Sequence, residues 1–249
     1  MGVHLFSLER VPAIRPGDDL AQLLVDALER AQIGVKAGDL LVVCQKAVSK
    51  AEGSVVDLRD VIPSPAAERV ASELGKDPRI VEVILGQTRR VVRMEQGHLI
   101  VETHHGLVCA NAGVDESNSL DEHTVILLPR DPDASAARLR NELLERFELD
   151  LPILITDTFG RPWREGLVEV AIGVAGFQPL LDLRGKRDLT DRELHHTIVA
   201  VADELAAAAG LLMEKDRGIP AVLVRGYDFP RGSGRARDLL RDQKKDLFR

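Results

Sequence analysis

The sequence predicts a mixed α/β domain of the α+β kind, a mixed sheet with flanking helices, on three observations. Short continuous apolar runs bounded by Gly, Pro or Asp read as buried strands: Leu40 to Cys44, Val125 to Leu128, Ile153 to Ile155 and Pro220 to Val224. Segments with helical spacing and cap signals lie between them. A β-hairpin, Thr88 to Met94 and His98 to Thr103 around Gln96-Gly97, breaks the regular alternation. That irregularity favours a mixed architecture over a doubly wound sheet.

The elements follow in order. Asp18 and Asp19 precede Leu20, Leu23, Leu24, Ala27 and Leu28, an N-capped amphipathic helix that ends near Gly34. Gly38-Asp39 turns into the first buried strand. Gln45 to Gly53 then reads as a loop at that strand's carboxyl end. Ser64-Pro65 opens a helix with Ser at the cap and Pro in the first position, ending near Gly75. Pro78 opens another, which stops at Gly86. Asp133 to Phe147 has helical spacing at Ala136, Leu139, Leu143 and Leu144. Leu167 to Val174 is apolar. Thr190-Asp191-Arg192-Glu193 matches a capping box and predicts a long alanine-rich helix reaching at least Leu212. The tail from Arg231 is highly charged, with Leu239, Leu240, Leu247 and Phe248 as anchors.

Composition narrows the function. The chain has 249 residues, 45% of them hydrophobic, enough for a sizeable core in one large domain or two small ones. The net charge of -7 disfavours a nonspecific nucleic-acid binder, and 3% aromatics disfavour stacking on single strands. No apolar stretch is long enough to span a bilayer and the N-terminus lacks a signal-peptide pattern, so cytoplasm is expected. Cys44 and Cys109 lie in apolar runs and read as reduced core residues. Neither a phosphate loop nor a dinucleotide fingerprint occurs.

The densest chemistry lies in Thr156-Asp157-Thr158-Phe159-Gly160-Arg161-Pro162-Trp163-Arg164, after a short apolar run. Carboxylate and hydroxyl oxygens suit a hard cation, and arginines suit phosphate or carboxylate. A solvated turn is the plain alternative. Ala110 to Asn118 adds small residues, Asp115 as a second hard-cation ligand, and Asn118. Two carboxylates from separate segments, Asp115 and Asp157, suit a magnesium or manganese ion held with phosphates. Lys46 and Lys50 could meet phosphates or simply be solvated. Leu212 to Pro220 reads best as an ordinary helix stop on its residues alone. His104-His105 would point to opposite faces of a strand and could not easily share one ion. Asp182, Arg184, Arg187 and Asp188 around Gly185 could hold an anion or be solvated.

Together these segments resemble the coenzyme F-420-0:L-glutamate ligase family, the γ-glutamyl ligases of coenzyme F-420 biosynthesis. The resemblance rests on Val48 to Gly53, Ala110 to Asn118, Thr156 to Arg164, the Gly185 to Asp188 loop and the terminal Asp246-Leu247-Phe248-Arg249, in family order over essentially the whole chain. It implies a family-specific mixed α/β fold over residues 1–249 as a single domain, an intertwined homodimer, and no C-terminal nitroreductase-like domain of the kind some bacterial relatives carry. It implies a GTP-dependent ligase that adds L-glutamate to F-420-0 and then further γ-linked glutamates. Magnesium or manganese, up to two per site, and potassium are the implied cofactors.

By the same resemblance Asp115, Asp157 and Thr158 match metal ligands. Gln45, Lys46, Lys50 and Asn118 match nucleotide positions, as do Val11, Pro12, Ala13 and Ile14, and Met213, Glu214, Lys215 and Gly218 within the Leu211 to Gly218 segment. Glu214 departs from the family pattern, where a small residue, usually Gly, is expected. Lys50, Arg161 and Arg164 are expected to offset charge during phosphoryl transfer from GTP to the substrate carboxylate, which gives an acyl phosphate for the glutamate amine. A ligase with another carboxylate acceptor, or a noncatalytic protein that binds GTP and metal, are the competing expectations.

Overall fold

A computed structural model describes residues 2–246 other than 118, 120 and 215. The ordered elements in chain order are β1 (His4–Ser7), α1 (Leu20–Arg30), β2 (Leu40–Cys44), α2 (Gln45–Ala51), β3 (Val55–Asp57), α3 (Pro65–Leu74), α4 (Pro78–Gly86), β4 (Thr88–Glu95), β5 (His98–Thr103) and β6 (Val108–Ala110). They continue with β7 (Thr124–Ile126), α5 (Pro132–Phe147), β8 (Ile153–Arg161), β9 (Arg164–Ala175), β10 (Leu181–Asp182), β11 (Ile198–Val199), α6 (Val201–Gly210) and β12 (Ala221–Arg225).

A mixed five-stranded sheet, β1-β12-β2-β8-β9, organises the molecule. Only β2 and β8 run parallel; the other neighbours are antiparallel. The period-2 alternation of side chains sorts residues to two helical layers. Leu41, Val43, Ile153, Ile155, Ala221 and Leu223 pack in one core with residues of α1, α2 and α5. Leu40, Val42, Leu154, Val222 and Val224 pack in the other with Val201, Ala202, Leu205, Ala206 and Ala209 of α6. Residues 55–126 form a separate region: the β3–β7 pair, the β4-β5-β6 sheet, and α3 and α4 with small cores of their own.

Local signals place most helix starts. Asp19, Ser64, Asp77 and Asp131 cap α1, α3, α4 and α5 by accepting first-turn backbone N–H groups, and Pro65, Pro78 and Pro132 stand in the first turn. Two expectations are corrected. The Thr190 capping box starts no helix: Asp188 accepts the N–H groups of Thr190 and Arg192, Asp191 is left-handed (φ 64°), and the chain folds back so that β11 pairs with β10. The helix begins only at Val201, with no side-chain cap. Gln45 to Ala51 is a helix, not a loop; its buried Ala47 and Val48 draw it onto the sheet.

Candidate functional site

The site exists because β2 stops early. Cys44 is paired with Thr156, and there the chain turns into α2, while β8 continues to Arg161. Among the described residues no strand pairs with β8 beyond Thr156 on the β2 side, and a cleft of about 510 Å³ opens against it. Val11, Pro12, Ala13 and Ile14 line it from the loop after β1, and Gln45, Lys46 and Lys50 from α2. Asp157, Thr158 and Glu169 come from the β8–β9 pair, and Met213, Glu214, Asp216 and Gly218 from the segment before β12. Asp115 reaches it through Lys46: Lys46 Nζ lies 2.7 Å from Asp115 Oδ2 and donates to Ser117 Oγ at 2.8 Å. The fold thus gathers the described metal-type and nucleotide-type candidates in one place. Asn118 and Lys215 lie outside the described residues, as do Leu247, Phe248 and Arg249 of the terminal motif.

Asp115 is presented by a strained turn. Asn111, Ala112 and Gly113 all have positive φ (52°, 55° and 70°), and a Cβ on Gly113 would meet Leu128 Cγ at 2.8 Å. Such conformations cost about 1–3 kcal/mol each at non-glycine residues and persist only where the surroundings enforce them. The Asp115↔Ile126 bridge, with hydrogen bonds of 2.9 Å in both directions, does so here.

The carboxylates have contrasting electrostatics. Burial alone would raise the Asp115 carboxyl, but hydrogen bonds from Lys46 and Ser117 outweigh it and hold the group below its ordinary range. Asp157 is 8% exposed and is pushed up to about 7, mainly by burial, with the Glu169 and Asp115 charges adding to it and the Thr158 N–H opposing. Burial lowers Lys50 from its ordinary value, with nearby Lys46 adding to this. Cys44, at the cleft wall, and Cys109, beside Asp157, are unpaired thiols pushed by burial up to about 11 and about 12, which keeps both protonated near neutrality.

The donor set fits a hard cation with phosphates. Among the described residues no three His, Cys, Asp or Glu side chains group to enclose a metal. A phosphate-held magnesium or manganese needs only one or two carboxylates, which Asp157 and Asp115 can supply; Thr158, next to Asp157 on β8, faces the other side of the strand, where its hydroxyl could serve a second ion. Asp157 has the mark of a group that lacks a counter-charge, being buried and raised. Gln45 Nε2 and Thr156 Oγ1 are buried on the cleft wall without a hydrogen-bond partner among the described residues, while Gln45 Oε1 is already used by Ser49. Buried polar atoms left open in this way match a polar ligand.

Other candidates fall elsewhere. β8 carries Arg161 four residues past Asp157, about 13 Å at ~3.3 Å per residue. Its guanidinium donates to Glu165 O at 2.6 Å inside the hairpin turn, Arg164 is exposed, and neither lines the cleft. His104 and His105 lie in a turn, not a strand, and contact the carbonyls of Gly86 and Pro129. Asp182 pairs with Arg184, and Arg187 with Asp191, so that loop satisfies its own charges. Sequence reasoning missed Glu169, which donates nothing to a motif and reads as one polar position on an apolar strand; its pairing across β8–β9 is what singles it out.

Comparison with known proteins identifies the family. Residues 9–226 match the family model described as F420-0:Gamma-glutamyl ligase. The chain is 46% identical over 252 residues to "Coenzyme F420:L-glutamate ligase" of Methanothermobacter thermautotrophicus, covering 100% of both chains. It is 46% identical over 259 residues to the protein of that name from Methanopyrus kandleri, covering 100% of this chain and 99% of the relative. For the Methanocaldococcus jannaschii protein the identity is 42% over 250 residues, covering 99% and 97%. The chain belongs to the F420-0:gamma-glutamyl ligase family.

Proposed function

We propose that this protein is a ligase of coenzyme F-420 biosynthesis, which joins L-glutamate by an amide to F-420-0 and then adds γ-linked glutamates, using GTP and a divalent cation. Family membership supports the reaction. The observation that carries the mechanism is the convergence of Lys46, Lys50, Asp157 and Thr158, with Asp115 tied in through Lys46, around one open cleft. Phosphoryl transfer asks for positioning and charge neutralisation and not for a protein nucleophile, and that is what this set offers.

In this reading the phosphates of GTP lie over the β8 edge, with Lys46 and Lys50 beside them. Gln45 Nε2, open on the wall, donates to the nucleotide. Asp115, Asp157 and Thr158 hold magnesium or manganese, which when bound offsets phosphate charge. The γ-phosphoryl group passes to the carboxylate of the phospholactate arm, giving GDP and an acyl phosphate. The glutamate amine attacks the acyl carbon, the bond to the phosphate oxygen breaks, phosphate leaves, and the amine proton passes to solvent.

We place the reaction in the cytoplasm and expect a homodimer with the intertwined family fold. The β8–β9 tip is the surface such a dimer would cover, since Trp163 is 80% and Leu167 62% exposed. A second copy is also the source from which Arg161 and Arg164 would serve a cleft. Sedimentation of the pure protein should give a dimer; a monomer at micromolar concentration overturns this part.

The decisive experiment is mass spectrometry of F-420-0 incubated with the protein, GTP, L-glutamate and manganese or magnesium. A product heavier by one or more glutamyl units, absent without GTP, is expected. GTP binding without any product would move the assignment to another acceptor or to a binding role.

A further inference from the structure

Thr158 and Glu169 face each other across β8 and β9, and the Thr158 hydroxyl donates to Glu169 Oε1 at 2.5 Å. This pairing depends on one extra residue. Ile155 pairs with Gly173, but the next pair is Thr156 with Ala171, so Ile172 is a bulge on β9. Without it Val170 would stand opposite Thr158, because a one-residue slip exchanges the faces of a strand.

Both layers hold the bulge. On one side Asp203 of α6 accepts the Ala171 N–H at 2.9 Å. On the other the first turn of α5 lies so close that a Cβ on Gly173 would sit 2.4 Å from Pro132 O. The Glu169 stem is fixed as well: Gly210, the last residue of α6, lies where a Cβ would meet Glu169 Cγ at 2.7 Å. The helix end thus presses the carboxylate against Thr158.

A threonine hydroxyl has one proton and two lone pairs. Committing the proton to Glu169 leaves the oxygen as an acceptor only, which is the state a hard cation requires. Carboxylates that hydrogen-bond a metal ligand orient it and raise its basicity. We propose that Glu169 is a positioning residue for Thr158, and that the β9 bulge pinned by Asp203 sets the pair. The proposal rests on the reading of Asp115, Asp157 and Thr158 as the cation-holding set. Acting through Thr158, and not as a third carboxylate on the ion, accords with the absence of a three-carboxylate grouping among the described residues.

The test measures Mn2+ binding to the pure protein by electron paramagnetic resonance, with Mn2+ alone and with Mn2+ and GDP, so no turnover is needed. Wild type, Glu169→Gln, Glu169→Ala, Thr158→Val and the double variant Thr158→Val/Glu169→Ala are compared. Glu169→Ala should weaken binding about 10–100-fold, the usual loss for a removed outer partner. Glu169→Gln should lose less, since its amide oxygen still accepts the hydroxyl proton. The double variant should bind no more weakly than Thr158→Val alone. Unchanged binding in Glu169→Ala, or fully additive losses in the double variant, overturns the proposal. If Glu169→Ala does not fold, Glu169→Leu, which keeps the stem and accepts no proton, is measured in its place, and unchanged binding there does the same. Failure of the wild type to bind Mn2+ with or without GDP overturns the cation reading itself.

Discussion

Lys46 Nζ bridges Asp115 Oδ2 at 2.7 Å and Ser117 Oγ at 2.8 Å, and so ties α2 to the loop after β6. Both partners are partly buried, at 17% and 22% side-chain exposure, so the pair is screened less than a surface ion pair. It joins the central sheet's cleft to the separate region of residues 55–126. Lys46→Ala should weaken GTP binding by roughly tenfold or more, since a hydrogen bond to a charged group is worth about 1.5–3 kcal/mol. Calorimetric titration with GTP and magnesium checks this; an unchanged Kd removes Lys46 from the nucleotide site.

Asp157→Asn keeps the shape of a buried side chain but removes its charge. The variant should fold and should lose cation-supported turnover by about 100-fold or more, as expected when a directly held charge is deleted from a phosphoryl-transfer site. Near-normal activity would sink the assignment of Asp157.

The same residue predicts a pH effect on the ligand-free protein. Its carboxyl is raised to about 7 in the fold, above its ordinary 3.8. The folded state therefore holds this proton more tightly than the unfolded chain. The associated stability is complete below pH 4 and is lost as pH rises to about 7. In chelator, the melting temperature of the wild type should fall relative to Asp157→Asn between pH 5 and 8. Each kcal/mol is worth about 2–4 °C in a domain of this size. Parallel melting curves for the two proteins across that range would contradict the burial argument.

Lys50 lines the cleft with its charge partly desolvated. Lys50→Ala should lower kcat/KM for GTP with little change in melting temperature. Unchanged kinetics at subsaturating GTP would count against its role.

Gly173→Ala tests the packing that holds the bulge. The new Cβ would lie 2.4 Å from Pro132 O, a backbone atom that cannot move aside cheaply. Destabilisation of about 1–3 kcal/mol or more is expected, read by urea denaturation. A neutral effect would mean that α5 can shift away from β9.

Much of the framework was legible locally. Asp19 and Ser64, with Pro65 and Pro78, marked helix starts because caps and fixed φ act within one turn. Gln96-Gly97 marked the hairpin, with both residues at positive φ (51° and 77°). The short strands β1, β3 and β6 escaped because three or four residues carry little periodicity, and β1 and β3 pair with strands distant in sequence. The Thr190 capping box misled because the same side chains and backbone groups also satisfy a tight loop, and Asp188 took the N–H groups first.

The sequence alone determined which residue types could serve the chemistry: hard oxygens at Asp115, Asp157 and Thr158, cations at Lys46 and Lys50, and the motif order that marks the family. Tertiary structure decided which of these meet. The early end of β2 opened the cleft at Asp157. Lys46 joined Asp115 to it. The extra length of β8 carried Arg161 and Arg164 out to the hairpin tip. The bulge at Ile172 placed Glu169, and not Val170, against Thr158. These are matters of strand length and register between segments far apart in the chain. A linear pattern fixes the face a residue takes on its own element, but the partner across the sheet is set only when whole layers pack.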